Sequence, residues 1–207
     1  MKHLLYLITI TFLLSITHPI SAQTDSIKDD SDFLFWINYG FGIHQNYGGI
    51  ISKSDYCENE TFGIAALASS TAYLPSVDMI FTIRALGTSN VFLDYTDDSE
   101  QCSDFGIMIG KIKKSRWTYV SFSTGLGYVY GGYSGKPKAL LYEGEDNSDP
   151  EYEYNVTEYK TAGIPMQIEL MLTPLNCFGF GIVVFANLNI ERPFYGALFC
   201  IQSGRLF

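Results

Sequence analysis

Lys160-Thr-Ala-Gly-Ile-Pro-Met-Gln-Ile-Glu-Leu-Met-Leu-Thr173, the break Pro174-Leu-Asn-Cys177, and Phe178-Gly-Phe-Gly-Ile-Val-Val-Phe-Ala-Asn-Leu-Asn-Ile190 form the stretch that decides the fold. In its first half Ala162, Ile164, Met166, Ile168, Leu170 and Leu172 share one parity, against Thr161, Gly163, Gln167, Glu169 and Thr173. Beyond Pro174 the split returns, with Phe178, Phe180, Ile182, Val184, Ala186, Leu188 and Ile190 against Gly179, Gly181, Asn187 and Asn189. Successive side chains of a strand point to opposite faces, so this period of two predicts two half-apolar strands joined by a tight turn. Each runs about 12 residues, where soluble sheets average ~5–6 and a tilted strand crosses a bilayer in about 9–11. The pair reads as two staves of a membrane barrel.

Six more segments carry the pattern. The spacing predicts strands over 33–44, 61–73, 79–87, 105–111, 117–130 and 195–207. On the first, Phe33, Phe35, Ile37, Tyr39, Phe41 and Ile43 oppose Trp36, Asn38, Gly40, Gly42 and His44; on the third, Phe81, Ile83 and Ala85 oppose Thr82 and Arg84. Three connections are short, at 74–78, at the basic Lys113-Lys114-Ser115-Arg116 and at 174–177. Three are long, at 45–60, 88–104 and 131–159, and the Glu191-Arg192-Pro193 turn completes the set. An even strand count with alternating short and long connections is the topology of bacterial outer-membrane barrels. The expected fold is therefore all-β, an eight-stranded antiparallel up-and-down transmembrane β-barrel over 33–207.

Which face meets lipid is a question of volume and charge. Eight strands leave an interior that side chains just fill. The polar faces hold Gly, Ser, Thr and Asn together with Arg84, Gln167, Glu169 and Gln202. A charge on the lipid side at midplane would cost roughly 2–4 kcal/mol, so these residues are assigned to the lumen. Tyr39, Tyr73, Trp117, Tyr119, Tyr128, Tyr130, Tyr195 and Phe207 fall near strand ends, where aromatic girdles sit.

The first 22 residues read as an export signal, with Lys2 before the apolar run 4–16 and Ser21-Ala22 at the expected cut. Residues 23–32 are a polar periplasmic lead-in. The formal net charge is −9, about −10 without Lys2, and it argues against a nucleic-acid partner. Aromatic residues make up 15% and glycines number 19, in keeping with an all-β chain.

The stretches Ser121-Phe-Ser-Thr-Gly-Leu-Gly-Tyr128, Gly163-Ile-Pro-Met-Gln167, Ala186-Asn-Leu-Asn189 and Cys200-Ile-Gln-Ser-Gly-Arg-Leu206 resemble the small outer-membrane barrels of the OmpA/OmpX type, and the exported barrels common in Bacteroidota. The resemblance spans nearly the whole mature chain; it implies a fold and an outer-membrane location and transfers no activity. Phe207 resembles the terminal aromatic by which the barrel-assembly machinery recognises its clients, although Ser203 and Arg205 stand where that signal has apolar side chains.

Candidate functional residues follow from the same assignment. Arg84 and Glu169 are expected to pair across the lumen, directly or through Gln167 and Asn187, within a network that takes in Asn38, Asn189 and Gln202, since an unpaired buried charge is expensive. Past the leader the only histidine is His44, the one candidate base for an outer-rim enzyme acting on lipid. The first reading is a plugged polar lumen in a barrel with a structural or surface-interaction role and no catalytic activity; the rim enzyme is the second and a narrow pore the third. Cys57 and Cys102 lie in two outer loops, where extracytoplasmic redox permits a disulfide. The acidic third loop (Glu143, Glu145, Asp146, Asp149, Glu151, Glu153, Glu158) is expected to be solvated, with divalent-ion binding as its alternative. No phosphate loop, dinucleotide fingerprint or metal-protease motif is present, so no cofactor, metal or enzymatic site is expected. The expected partners are outer-membrane lipids and lipopolysaccharide, the assembly machinery, and an extracellular partner met by the loops.

Overall fold

Eight antiparallel strands pair in sequence order, and the first closes on the last. The computed structural model describes residues 33–46, 61–89, 100–142 and 151–205, with backbone alone at 61, 133–142 and 151–156. The export signal, the lead-in, Cys57 and Phe207 lie outside the described residues. The strands are β1 (Leu34–Asn46), β2 (Thr61–Leu74), β3 (Met79–Ser89), β4 (Gln101–Lys114), β5 (Thr118–Tyr142), β6 (Glu151–Leu175), β7 (Phe178–Asn189) and β8 (Phe194–Arg205). Closure runs from Phe35↔Arg205 to Asn46↔Phe194, so no edge of the cylinder is left open within the bilayer span.

The period of two sets the wall. Among the described residues thirty-two large hydrophobic side chains are exposed, most of them on the outward parity of the strands, such as Phe41, Ile107, Leu126, Ile168, Ile182 and Phe199. A continuous apolar belt of that size suits hydrocarbon, since a monomer in water rarely exposes more than a few hundred Å² in one patch. The opposite parity is buried, with Trp36, Met108, Met171, Val183 and Asn38 all at 0% exposure. Small residues let the interior close at tight places. A Cβ at Gly196 would come within 2.6 Å of the Phe185 ring, and one at Gly127 within 3.0 Å of Asp104 Oδ1.

Three expectations need correction. The second long connection is shorter than 88–104, because β3 continues to Ser89 and β4 begins at Gln101; Cys102 and Asp104 are wall residues. The stretch 131–159 is mostly strand, with β5 and β6 each 25 residues long and paired from Thr118↔Leu172 to Tyr142↔Glu151 through three register shifts. Outside the bilayer the outer face has no reason to be apolar, so the alternation that marks a strand disappears while the backbone pairing continues. Tyr119 belongs to the lumen, at 1% exposure, and not to a girdle.

Candidate functional site: the lumen and its outer mouth

The inward side chains form successive layers. Nearest the short turns, Leu34, Trp36, Ile80, Tyr119 and Met171 make an apolar floor, with the Trp36 and Tyr119 rings 5.6 Å apart. Directly above it lies Glu169. Its Oε1 accepts from Gln167 Nε2 at 2.6 Å and Asn38 Nδ2 at 3.2 Å, and its Oε2 from Tyr119 OH at 2.8 Å. Tyr119 OH in turn accepts from Gln202 Nε2. The carboxylate is cradled by neutral donors from β1, β5 and its own strand β6.

Arg84 sits apart from this cradle. Its guanidinium pairs with Asp104 on the adjacent strand β4 and donates from Nη1 to the Met166 carbonyl at 3.2 Å. Both side chains are fully buried. The direct Arg84–Glu169 pair expected from the sequence is not formed. Asp104 stands two residues above Gly106, the direct cross-strand partner of Arg84, and so takes the cation first.

Leu86 and Val129 flank Asp104 as its cross-strand partners, and Leu67, Phe185, Phe194 and Leu198 add further buried apolar side chains toward the outer mouth. Phe185 and Phe194 meet edge to face at 6.3 Å. The mouth itself is polar. His44 Nδ1 lies 3.1 Å from Asn46 Oδ1, and Arg192 pairs with Glu100 at 3.2 Å, both side chains nearly buried. Asn189 clamps the β7–β8 turn, accepting from Arg192 N at 2.7 Å and Glu191 N at 3.2 Å and donating to Arg192 O at 2.8 Å. It also donates to Asn187 Oδ1 at 3.2 Å, so Asn187 belongs to the mouth and not to the Glu169 cradle.

The predicted residues therefore fall into three groups. Glu169, Gln167, Asn38 and Gln202 come together low in the barrel; Asn187 and Asn189 lie high, and Arg84 lies between. Asp104, Tyr119, Glu100 and Arg192 were missed as lumen residues. Parity alone could have found Tyr119, which shares its register with Ser121 and Ser123. His44 is 1% exposed and turned into the lumen, with Glu100 within electrostatic range. Cys102 is a buried free thiol on the lumen face of β4, in hydrogen-bond contact with Tyr159, and not a loop residue. Cys177 is exposed in the β6–β7 turn, and Cys200 is buried in the lumen. Among the described residues no group of three or more His, Cys, Asp or Glu could hold a metal ion. A groove of about 320 Å³ lined by Ile83, Phe105, Ile107, Leu126 and Tyr128 lies on the outer wall.

No protein-family model matches the chain, and no curated protein matches it by sequence. Solved structures do match by shape. Neisserial surface protein A (NspA) superposes with a TM-score of 0.57 at 6% identity, covering 82% of this chain and 96% of that one. Ail, the attachment invasion locus protein of Yersinia pestis, gives 0.50 at 10% identity, covering 84% and 98%. The fold is thus that of the small bacterial outer-membrane β-barrels, an eight-stranded antiparallel cylinder closed between its first and last strands.

Proposed function

We propose that the chain is an integral outer-membrane barrel with a plugged, non-conducting lumen, and that its work is done at the cell surface by the β5–β6 hairpin. The observation that carries this reading is the length of that hairpin. The last rung β5 shares with β4 is Gly132↔Gln101, and the last that β6 shares with β7 is Gly163↔Asn189. Beyond them, β5 and β6 stay paired with each other as far as Tyr142↔Glu151. Ten residues of β5 past Gly132, at about 3.3 Å each, make an arm on the order of 30 Å long. Among the described residues neither arm pairs on its outer edge, and a free strand edge is a template for recognition. The structural neighbours bear names of a surface protein and an attachment protein, which accords with such a role.

The buried layers support the plug. Trp36 and Tyr119 fill the floor, and Phe185, Phe194 and Leu198 fill the upper level, with no exposed inward charge between them. Outer-membrane lipids, lipopolysaccharide and the assembly machinery are the partners this location supplies. The test is replacement of residues 135–157 by a two-residue turn. The barrel should still show heat-modifiable migration from outer membranes, while adhesion to surfaces or soluble extracellular proteins is lost; adhesion equal to the parent would end the reading. Single-channel conductance near zero, unchanged by Arg84→Ala, is expected of a plug, and steady channel openings would favour the pore. Unchanged membrane lipids in His44→Ala are expected here, and a lost lipid modification would favour the rim enzyme.

A further inference from the structure

The lower end of the barrel carries a charge the rest of the molecule lacks. The chain is acidic overall, yet Lys111, Lys113, Lys114 and Arg116 crowd into six residues at the β4–β5 turn. Arg205 adds a fifth cation at the same end, and the one carboxylate described there is Asp78. Lys111 and Lys113 continue the outward parity of Phe105, Ile107 and Ile109, so the lipid-facing stripe of β4 turns from hydrocarbon to ammonium within two residues. A rise of about 3.3 Å per residue sets Lys111 roughly 7 Å along the strand from Ile109 toward the short-turn end, or about 5 Å in depth for a strand tilted about 40°.

Aromatic side chains share this level. Trp117 is 53% exposed beside the cations, with the Arg116 guanidinium 5.3 Å from its ring centroid, and Lys114 Nζ lies 4.3 Å from the Tyr73 ring. Lys111 Nζ reaches Asp78 Oδ2 at 3.1 Å, with both side chains 65% exposed. The Lys111 hydrogen bond first and the Tyr73 hydrogen bond second hold the Asp78 carboxyl below its ordinary value. The β2–β3 and β6–β7 turns at this end contribute no cation (Pro75-Ser-Val77 and Pro174-Leu-Asn-Cys177). Four of the five cations are therefore gathered in one sector of the rim, with Arg205 across the barrel where β8 meets β1.

We propose that Lys113, Lys114 and Arg116, with Trp117 seated between them and the hydrocarbon, bind the phosphate headgroups of anionic phospholipids in the periplasmic leaflet. Anionic headgroups complement this sector, and the apolar face of β4 directly above accepts their acyl chains. The inference rests on the outer-membrane placement under the proposed function, which heat-modifiable migration and membrane fractionation test separately. The sequence supplies a local probe, for the chain has two tryptophans and Trp36 is buried in the lumen.

The experiment reconstitutes the full barrel in phosphatidylcholine vesicles containing a minor fraction of acyl-brominated lipid, with Trp117→Phe as the background. Brominated phosphatidylglycerol should quench Trp117 more than brominated phosphatidylcholine at equal mole fraction. A cation near an anionic surface is worth about a fivefold bias. In the triple variant Lys113→Gln, Lys114→Gln and Arg116→Gln the two lipids should quench equally, and Lys113→Arg with Lys114→Arg should keep the preference. Added salt should weaken it, and inorganic phosphate should do no more than chloride at matched ionic strength. Equal quenching in the wild type, or a preference that survives the triple variant, would overturn the proposal. Loss of preference to phosphate but not chloride would reassign the site to free phosphate.

Discussion

Two carboxylates are buried in one lumen by different means. Asp104 faces a cation, Arg84, across one strand pair. Glu169, one layer lower, has only neutral donors, from Asn38, Gln167 and Tyr119. An ion pair concentrates its stability in one partner, because removing that partner leaves a bare charge in a low dielectric. A cradle of neutral donors spreads its stability over several strands, so each donor matters less while together they tie β1, β5, β6 and β8 to one point.

The comparison breaks most sharply at the cation. Arg84→Ala is expected to cost about 3–5 kcal/mol in urea unfolding from short-chain lipid vesicles, because Asp104 is left buried alone. Arg84→Met combined with Asp104→Leu should recover most of that loss, since an apolar pair of similar volume carries no stranded charge. Glu169→Gln keeps one acceptor oxygen for Asn38 and Gln167 while its amide nitrogen meets Tyr119 OH, and should cost less, about 1–2 kcal/mol; a loss as large as that of Arg84→Ala would erase the distinction. Tyr119→Phe removes one donor of three together with the acceptor for Gln202, and should cost about 1 kcal/mol.

The smallest effect lies outside the lumen. Asp78 is exposed, and its hydrogen bonds from Lys111 and Tyr73 hold its carboxyl below the ordinary value of 3.8. A depressed acid contributes stability that is present above the unfolded value and lost as pH falls through the folded one. The Asp78 contacts should accordingly persist at the pH where a free aspartate is half protonated and be lost below it, as read by NMR titration of the Asp78 carboxyl. A midpoint at or above 3.8 would remove the depression.

The lumen residues were legible in proportion to their place in the apolar band. Arg84, Gln167, Glu169, Asn38 and Gln202 stand out because their outward neighbours are Ile, Phe or Leu, which makes their parity unmistakable. Asp104 was hidden because the apolar period of β4 begins only at Phe105, and Ser103 with the acidic run before it reads as loop. The upper arms of β5 and β6 were hidden for the same reason, since backbone pairing in water leaves no hydrophobic period to read. Arg192 looked like a turn residue, and only the fold of the β7–β8 turn over the mouth brings it to Glu100.

From its residues alone this chain determined the number of its main staves, the short turns between them and which side chains face inward, because a strand buried on one side must alternate. Partnership was decided in three dimensions. Which lumen charge meets which depends on the stagger that closes β1 on β8 and on the height each residue reaches, and these belong to the whole cylinder. Glu169 and Arg84 share a parity, but the register of β3 with β4 gave Arg84 a nearer anion and left Glu169 to its neutral donors.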